Sequence, residues 1–143
     1  MRLLAGAAVA ALALAGCERT PPSEQLDVKA LPDEGSVETI AAADLAALIE
    51  AGEAIVIDVR TPEEFAAGRL PGALNAPVET FDPAAIPMEE GRETILYCRS
   101  GKRSARAAEM LAKHTGARVR HLEGGIEAWS APEPSQRVLI GGE

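Results

Sequence analysis

The chain has 143 residues, with 14 Lys and Arg against 22 Asp and Glu, for a formal charge of −8. That length holds one domain with tails, and the acidic balance excludes a general nucleic-acid binder. The aromatic residues are Phe65, Phe81, Tyr97 and Trp129, too few to build a base-stacking platform.

Arg2 precedes Leu3 to Ala15, an uncharged run of small and apolar residues. The run is too short to cross a bilayer and has the layout of a signal-peptide core. It ends in Leu14-Ala15-Gly16-Cys17, which resembles a bacterial lipobox. The resemblance implies cleavage before Cys17, acylation of that cysteine, export, and a lipid anchor on the periplasmic side of the cell envelope; the competing reading is a simple secretory signal cleaved near Ala15. The expected organisation is a signal peptide at 1–16, an acylated tether at 17–36, a folded domain at 37–130 and a tail at 131–143. The tether carries Pro21-Pro22, Pro32, Gly35 and several charges, and such a segment buries too little to order itself.

Within the domain, Val37–Ile40 reads as a first strand. Ala43–Ala51 reads as a helix with Leu45, Leu48 and Ile49 on one face and Gly52 as its stop. Ala54–Asp58 is a continuous apolar run, the pattern of a strand buried on both faces of a parallel sheet. Thr61-Pro62-Glu63-Glu64 is a capping box with proline at the first helical position, and its helix ends at Gly68. Pro71-Gly72 predicts a turn, Ala73–Ala76 a short strand, and Thr80–Ile86 a helical turn before Pro87. Thr94–Tyr97 is a strand, Arg103–His114 a helix closed near Gly116, and Ala117–Leu122 a strand. Gly124-Gly125 introduces a last short helix through Trp129, which reads as a core anchor. The tail opens with two prolines and holds an apolar Val138–Ile140; it is expected to be loose, with a stray strand packed on the domain as the alternative. Strands alternating with helices predict an α/β domain with a mainly parallel sheet. In such sheets sites lie beyond the C-terminal ends of strands.

Cys98-Arg99-Ser100-Gly101-Lys102-Arg103-Ser104 falls at such an end, between a strand and a helix. A helix N-terminus offers backbone N–H groups and positive potential. With three nearby cations, this favours the thiolate, the nucleophilic form of cysteine. The competing reading is a buried structural cysteine, which needs apolar neighbours, and Arg99, Lys102 and Arg103 are the opposite. Consecutive loop amides can converge into an anion nest, and the small Ser100 and Gly101 let a ligand approach the backbone. Arg99 and Lys102 are expected at the rim, where they attract a small dianion, unless they are merely solvated surface. With Cys17 acylated, Cys98 has no disulfide partner. His114 and His121 lack metal-ligand spacing, so neither a metal nor another cofactor is expected.

The loop, Ile57-Asp58-Val59-Arg60-Thr61-Pro62-Glu63-Glu64-Phe65, Gly68 through Pro77, and Leu122 through Trp129 together resemble the single-domain rhodaneses over about Val37 to Ser130. The resemblance implies a mainly parallel five-stranded sheet flanked by helices. It implies Cys98 as a nucleophile that takes the outer sulfur of thiosulfate, releases sulfite and passes the sulfur from a persulfide to cyanide or a thiol. Arg99, Ser100, Gly101, Lys102, Arg103 and Ser104 would form the substrate-binding loop, with Asp58 and Arg60 as its support. Arg103 would turn inward and pair with Asp58; Asp58 as a general base is the weaker reading. Phosphatases and arsenate reductases of the same fold carry a loop one residue longer, whereas Cys98 to Arg103 counts six residues. They are therefore disfavoured, and a sulfur carrier without useful turnover stays open. Arg69 stands where many relatives have histidine, and is read as structural.

Overall fold

The computed structural model describes residues 35–131 and 140–141. The expected signal peptide, Cys17, nearly all of the tether and most of the tail lie outside the described residues. Five strands, β1 (Val37–Ile40), β2 (Ala54–Asp58), β3 (Leu74–Asn75), β4 (Glu93–Tyr97) and β5 (Val119–Leu122), form one sheet in the order β1-β5-β4-β2-β3. Every pairing in it is parallel. The helices are α1 (Ala42–Ala51), α2 (Pro62–Ala67), α3 (Lys102–Thr115) and α4 (Gly125–Trp129), with two 3-10 turns at Val78–Thr80 and Pro83–Ala85.

β2 and β4 occupy the middle of the sheet, and helices cover both faces. This explains their largely apolar sequences: β2 is buried along its whole length and β4 from Thr94 onward. Successive side chains point to opposite faces. Ile55, Ile57, Leu96 and Val119 pack with Phe81 and with Ala107, Ala108 and Leu111 of α3. Val56, Ile95 and Tyr97 pack on the other face with Ile40, Leu45, Ile126 and Trp129. The alanines of α3 bring that helix axis close to the sheet and set the height of its first turn. Thr61 closes the capping box foreseen for α2. Its hydroxyl accepts from the Glu64 amide at 3.2 Å, and its own amide donates to the Glu64 carboxylate at 3.1 Å.

After β2 the chain crosses to one edge of the sheet; after β4 it crosses toward the other. The ends of these two strands therefore flank the crevice where the winding reverses, the usual position of a site in this architecture. Asp58 ends one strand and Cys98 follows the other. The tail differs from the expected loose segment at Ile140. Its amide and carbonyl pair with those of Arg69 at 2.7 and 2.9 Å.

α4 starts hard against the loop that follows β4. The Ile126 amide donates to the Cys98 carbonyl at 2.8 Å and the Glu127 amide to the Arg99 carbonyl at 3.2 Å. Gly125 has φ +61°, and a Cβ there would lie 2.4 Å from the Arg99 oxygen and 2.5 Å from the Cys98 oxygen. Both the dihedral and the space demand glycine. Gly125→Ala is expected to cost at least about 2 kcal/mol in urea unfolding. An unchanged urea midpoint would contradict so close an approach.

Candidate active site

Cys98 leaves β4 with only 1% of its surface exposed. One side of it joins Leu96, Ala107 and Leu111 in the apolar core. The sulfur is thus more enclosed than its cationic sequence context suggests. Its other side meets the loop. The Gly101 amide donates to Sγ at 3.1 Å. Burial pushes the thiol up, but the Ser104 amide and hydroxyl and the Gly101 and Ser100 amides outweigh it, and the net shift is downward. Gly101 adopts φ +99° as the residue capping α3, a conformation that turns its N–H toward the sulfur and suits glycine alone. Arg99, Ser100 and Lys102 are exposed on the outer side of the loop. Arg99 reaches Glu127 at 2.8 Å, with both side chains mostly in water, so that pair contributes little.

Behind the loop, the Asp58 carboxylate is fully buried. It accepts from the Arg60 amide at 2.9 Å, from Arg60 Nε at 3.0 and 3.1 Å, from Arg60 Nη2 at 2.6 Å and from the Tyr97 hydroxyl at 2.6 Å. Arg60 Nη2 also donates to the Gly68 carbonyl at 2.6 Å, and the Leu70 amide donates to Tyr97 Oη at 3.2 Å. This network ties the ends of β2 and β4 to the chain following α2. Burial opposes the Arg60 charge, but its bonds to Asp58 prevail and hold it firmly protonated. Between α2 and α4 opens a pocket of about 290 Å³ whose walls include Arg60, Glu64, Gly68, Ile126 and Glu127.

Residues 41–132 match the family model for the rhodanese-like domain. The chain belongs to that family. Human thiosulfate:glutathione sulfurtransferase is 33% identical over 111 residues, covering 66% of this chain and 95% of the human protein. An uncharacterized Synechocystis protein is 37% identical over 91 residues, covering 64% of this chain and only 51% of that protein. A crystal structure of a rhodanese-like domain protein from Staphylococcus aureus superposes with TM-score 0.60 at 27% identity, over 74% of this chain and 99% of that one. Relatives named as sulfurtransferases, the human protein among them, support sulfur transfer at the level of the family.

One expectation carried over from other rhodanese-like proteins is corrected. Arg103 does not pair with Asp58. The acceptor sites of Asp58 are taken by Arg60, two residues along the same chain, and by Tyr97. Arg103 instead forms a bidentate pair with Glu64 at 2.8 and 2.9 Å. Glu64 sits on the first turn of α2, where the capping box already fixes its carboxylate, and the first turn of α3 passes alongside. The Arg103 bond, against an opposing effect of burial, lowers the Glu64 carboxyl to about 2. Sequence reasoning read Glu64 only as a cap; a motif names a local partner and is silent on a distant one.

His121, which lacks metal-ligand spacing, has a place that only the fold shows. It is buried on β5, with Nδ1 3.2 Å from the hydroxyl of the fully buried Ser104. The signal for burial was present, since Val119 and His121 share one face of a strand. Arg69 stacks its guanidinium 4.6 Å above the Phe65 ring. Trp129 is 3% exposed and packs with Leu45 and Ile126 in the second core layer.

The two ion pairs differ in burial, and so should their removal. Arg60→Ala strands a buried carboxylate and is expected to cost about 3–5 kcal/mol in urea unfolding. Arg103→Ala opens a pair whose side chains are 30% and 31% exposed and is expected to cost about 1 kcal/mol or less. The reverse order would contradict this assignment of partners. Glu64 supplies a pH dependence. Its folded value lies below the unfolded one, so its contribution is complete above about 4.5 and is lost as pH falls toward about 2. The acid-side fall of the wild-type urea midpoint is expected to flatten in Glu64→Gln; identical acid limbs would contradict it.

Proposed function

We propose that this chain is a sulfurtransferase that carries sulfane sulfur on Cys98, from thiosulfate or a related donor to a thiol or cyanide acceptor. The observation that carries this reading is the Cys98 sulfur under the amides of a six-residue loop, with its thiolate favoured despite burial. The Cys98 thiolate attacks the outer sulfur of thiosulfate. The sulfur–sulfur bond of the donor breaks, and sulfite leaves with the electron pair. Cys98 then holds one extra sulfur as a persulfide. An acceptor thiolate attacks that terminal sulfur, the persulfide bond breaks, and Cys98 returns as a thiolate. Neither half requires a proton at Cys98, so no general base is needed, and Asp58 has none of its acceptor capacity to spare. This is ping-pong covalent catalysis. The loop amides lower the energy of the sulfur anion wherever it appears.

Arg99 and Lys102 stand at the mouth and would draw in an anionic donor. A thiol acceptor is supported by the human relative, which is named for transfer from thiosulfate to glutathione. The short loop supports sulfur over a bulkier phosphate ester. We further propose that the chain is exported and held at the periplasmic side of the cell envelope by acyl chains on Cys17. Leu14-Ala15-Gly16-Cys17 supports that reading, and two acyl chains suffice for stable anchoring.

Incubation with thiosulfate followed by mass spectrometry is expected to find one added sulfur atom on Cys98 and none in Cys98→Ser. Thiosulfate-dependent thiocyanate formation should vanish in the same variant, and an aryl phosphate should stay intact. Full turnover by Cys98→Ser, or an aryl phosphatase activity, would overturn the proposal. Turnover absent while Cys98 still accepts sulfur from a protein persulfide would favour the carrier reading. Labelled fatty acid should enter the wild-type chain in cells and be absent from Cys17→Ala; label retained in the variant would remove the anchor.

A further inference from the structure

His121 and Ser104 are buried side by side beneath the loop, and the transfer steps above make no use of His121. The β5 register places His121 opposite Leu96 of β4, on the sheet face that α3 covers. Ser104 comes down onto it from the first turn of α3. Ser104 Oγ lies 3.1 Å from the Gly101 carbonyl and 3.2 Å from His121 Nδ1. Ser104 Oγ donates to Gly101, whose amide in turn donates to the Cys98 sulfur at 3.1 Å, and the Ser104 amide and hydroxyl both push the Cys98 thiol downward.

A hydroxyl has one proton to give. With Nδ1 bare, the imidazole competes for that proton and draws it away from the loop. With a proton on Nδ1, the imidazole is the donor, and the Ser104 proton is left for the Gly101 carbonyl or for Sγ. Gly101 O already accepts the Ala105 amide at 3.0 Å, so the hydroxyl can leave it when the sulfur is charged. Burial disfavours the charged imidazolium, and the choice lies between the two neutral tautomers.

We propose that His121, with its proton on Nδ1, is a positioning residue for sulfur transfer: it donates to Ser104 Oγ and so directs the Ser104 hydroxyl to the loop and the Cys98 sulfur. This rests on Cys98 being the sulfur-carrying nucleophile. His121 touches neither donor nor acceptor and moves no proton. It holds an extra donor beside Sγ at the two moments when that atom is an anion: before attack on the donor, and as the leaving thiolate when the acceptor takes the sulfur.

The test is the pH dependence of Cys98 alkylation by iodoacetamide in the full-length chain. It is read on the Cys98 peptide by mass spectrometry, so that any unacylated Cys17 does not contribute. His121→Leu is expected to raise the midpoint by about half a pH unit or more, and Ser104→Ala to raise it comparably. The double variant should shift no further than either single one, because both act through one hydroxyl. His121→Asn, whose amide can donate from the place of Nδ1, should restore the wild-type midpoint. An unmoved midpoint in His121→Leu, or shifts that add in the double variant, would overturn the proposal. Should His121→Leu fail to fold, ¹⁵N NMR of the wild-type ring decides. A proton on Nδ1 supports the proposal, and a proton on Nε2 overturns it. Alkylation reports the thiolate whether or not thiosulfate is a donor, so failure of the proposed turnover leaves this result standing.

Discussion

Backbone N–H groups pointed at one sulfur atom are the interaction on which the rest of the site depends. Cys98 is buried deeply enough for its surroundings alone to favour the neutral thiol. The Ser104 amide and hydroxyl and the amides of Gly101 and Ser100 act against burial, and the net shift of the thiol is downward. That shift needs a loop that cannot relax. Most of the packing around the loop can be understood as preventing relaxation.

Three supports hold it from different sides. α4 abuts the Cys98 and Arg99 carbonyls through a glycine that leaves no room for a Cβ. The alanine face of α3 seats that helix close to the sheet, so its first-turn amides arrive above the sulfur. The Asp58–Arg60–Tyr97 network fixes the neighbouring strand end and the chain beyond α2. The cations divide by depth accordingly. Arg60 is buried and architectural, Arg103 is half-buried and braces α3 against α2 through Glu64, and Arg99 and Lys102 remain at the surface facing solvent.

Much of this was legible in the chain because it is local. The unbroken Ala54–Asp58 run announced a central parallel strand, the Thr61 box began α2 where it was expected, and the strand–loop–helix punctuation around Cys98 placed the loop amides. What the sequence hid was pairing between segments. The family resemblance implied Asp58 as the partner of Arg103, and the fold gives it Glu64 instead. The choice was made by Arg60 and Tyr97, which occupy Asp58 first, and no spacing rule records that competition. His121 escaped because a lone histidine carries no pattern; its meaning comes from Ser104, which reaches it from another element. Ile140 likewise found a partner in the backbone of Arg69, a segment distant in sequence.

Direct titration of the Cys98 thiolate by its ultraviolet absorbance, in a chain carrying Cys17→Ala, tests the central claim most simply. A midpoint clearly below the ordinary cysteine value of about 8.5 is expected if the loop amides hold the sulfur ionised. A midpoint at or above that value would mean that burial prevails, and Cys98 would then be a core residue at the end of a strand.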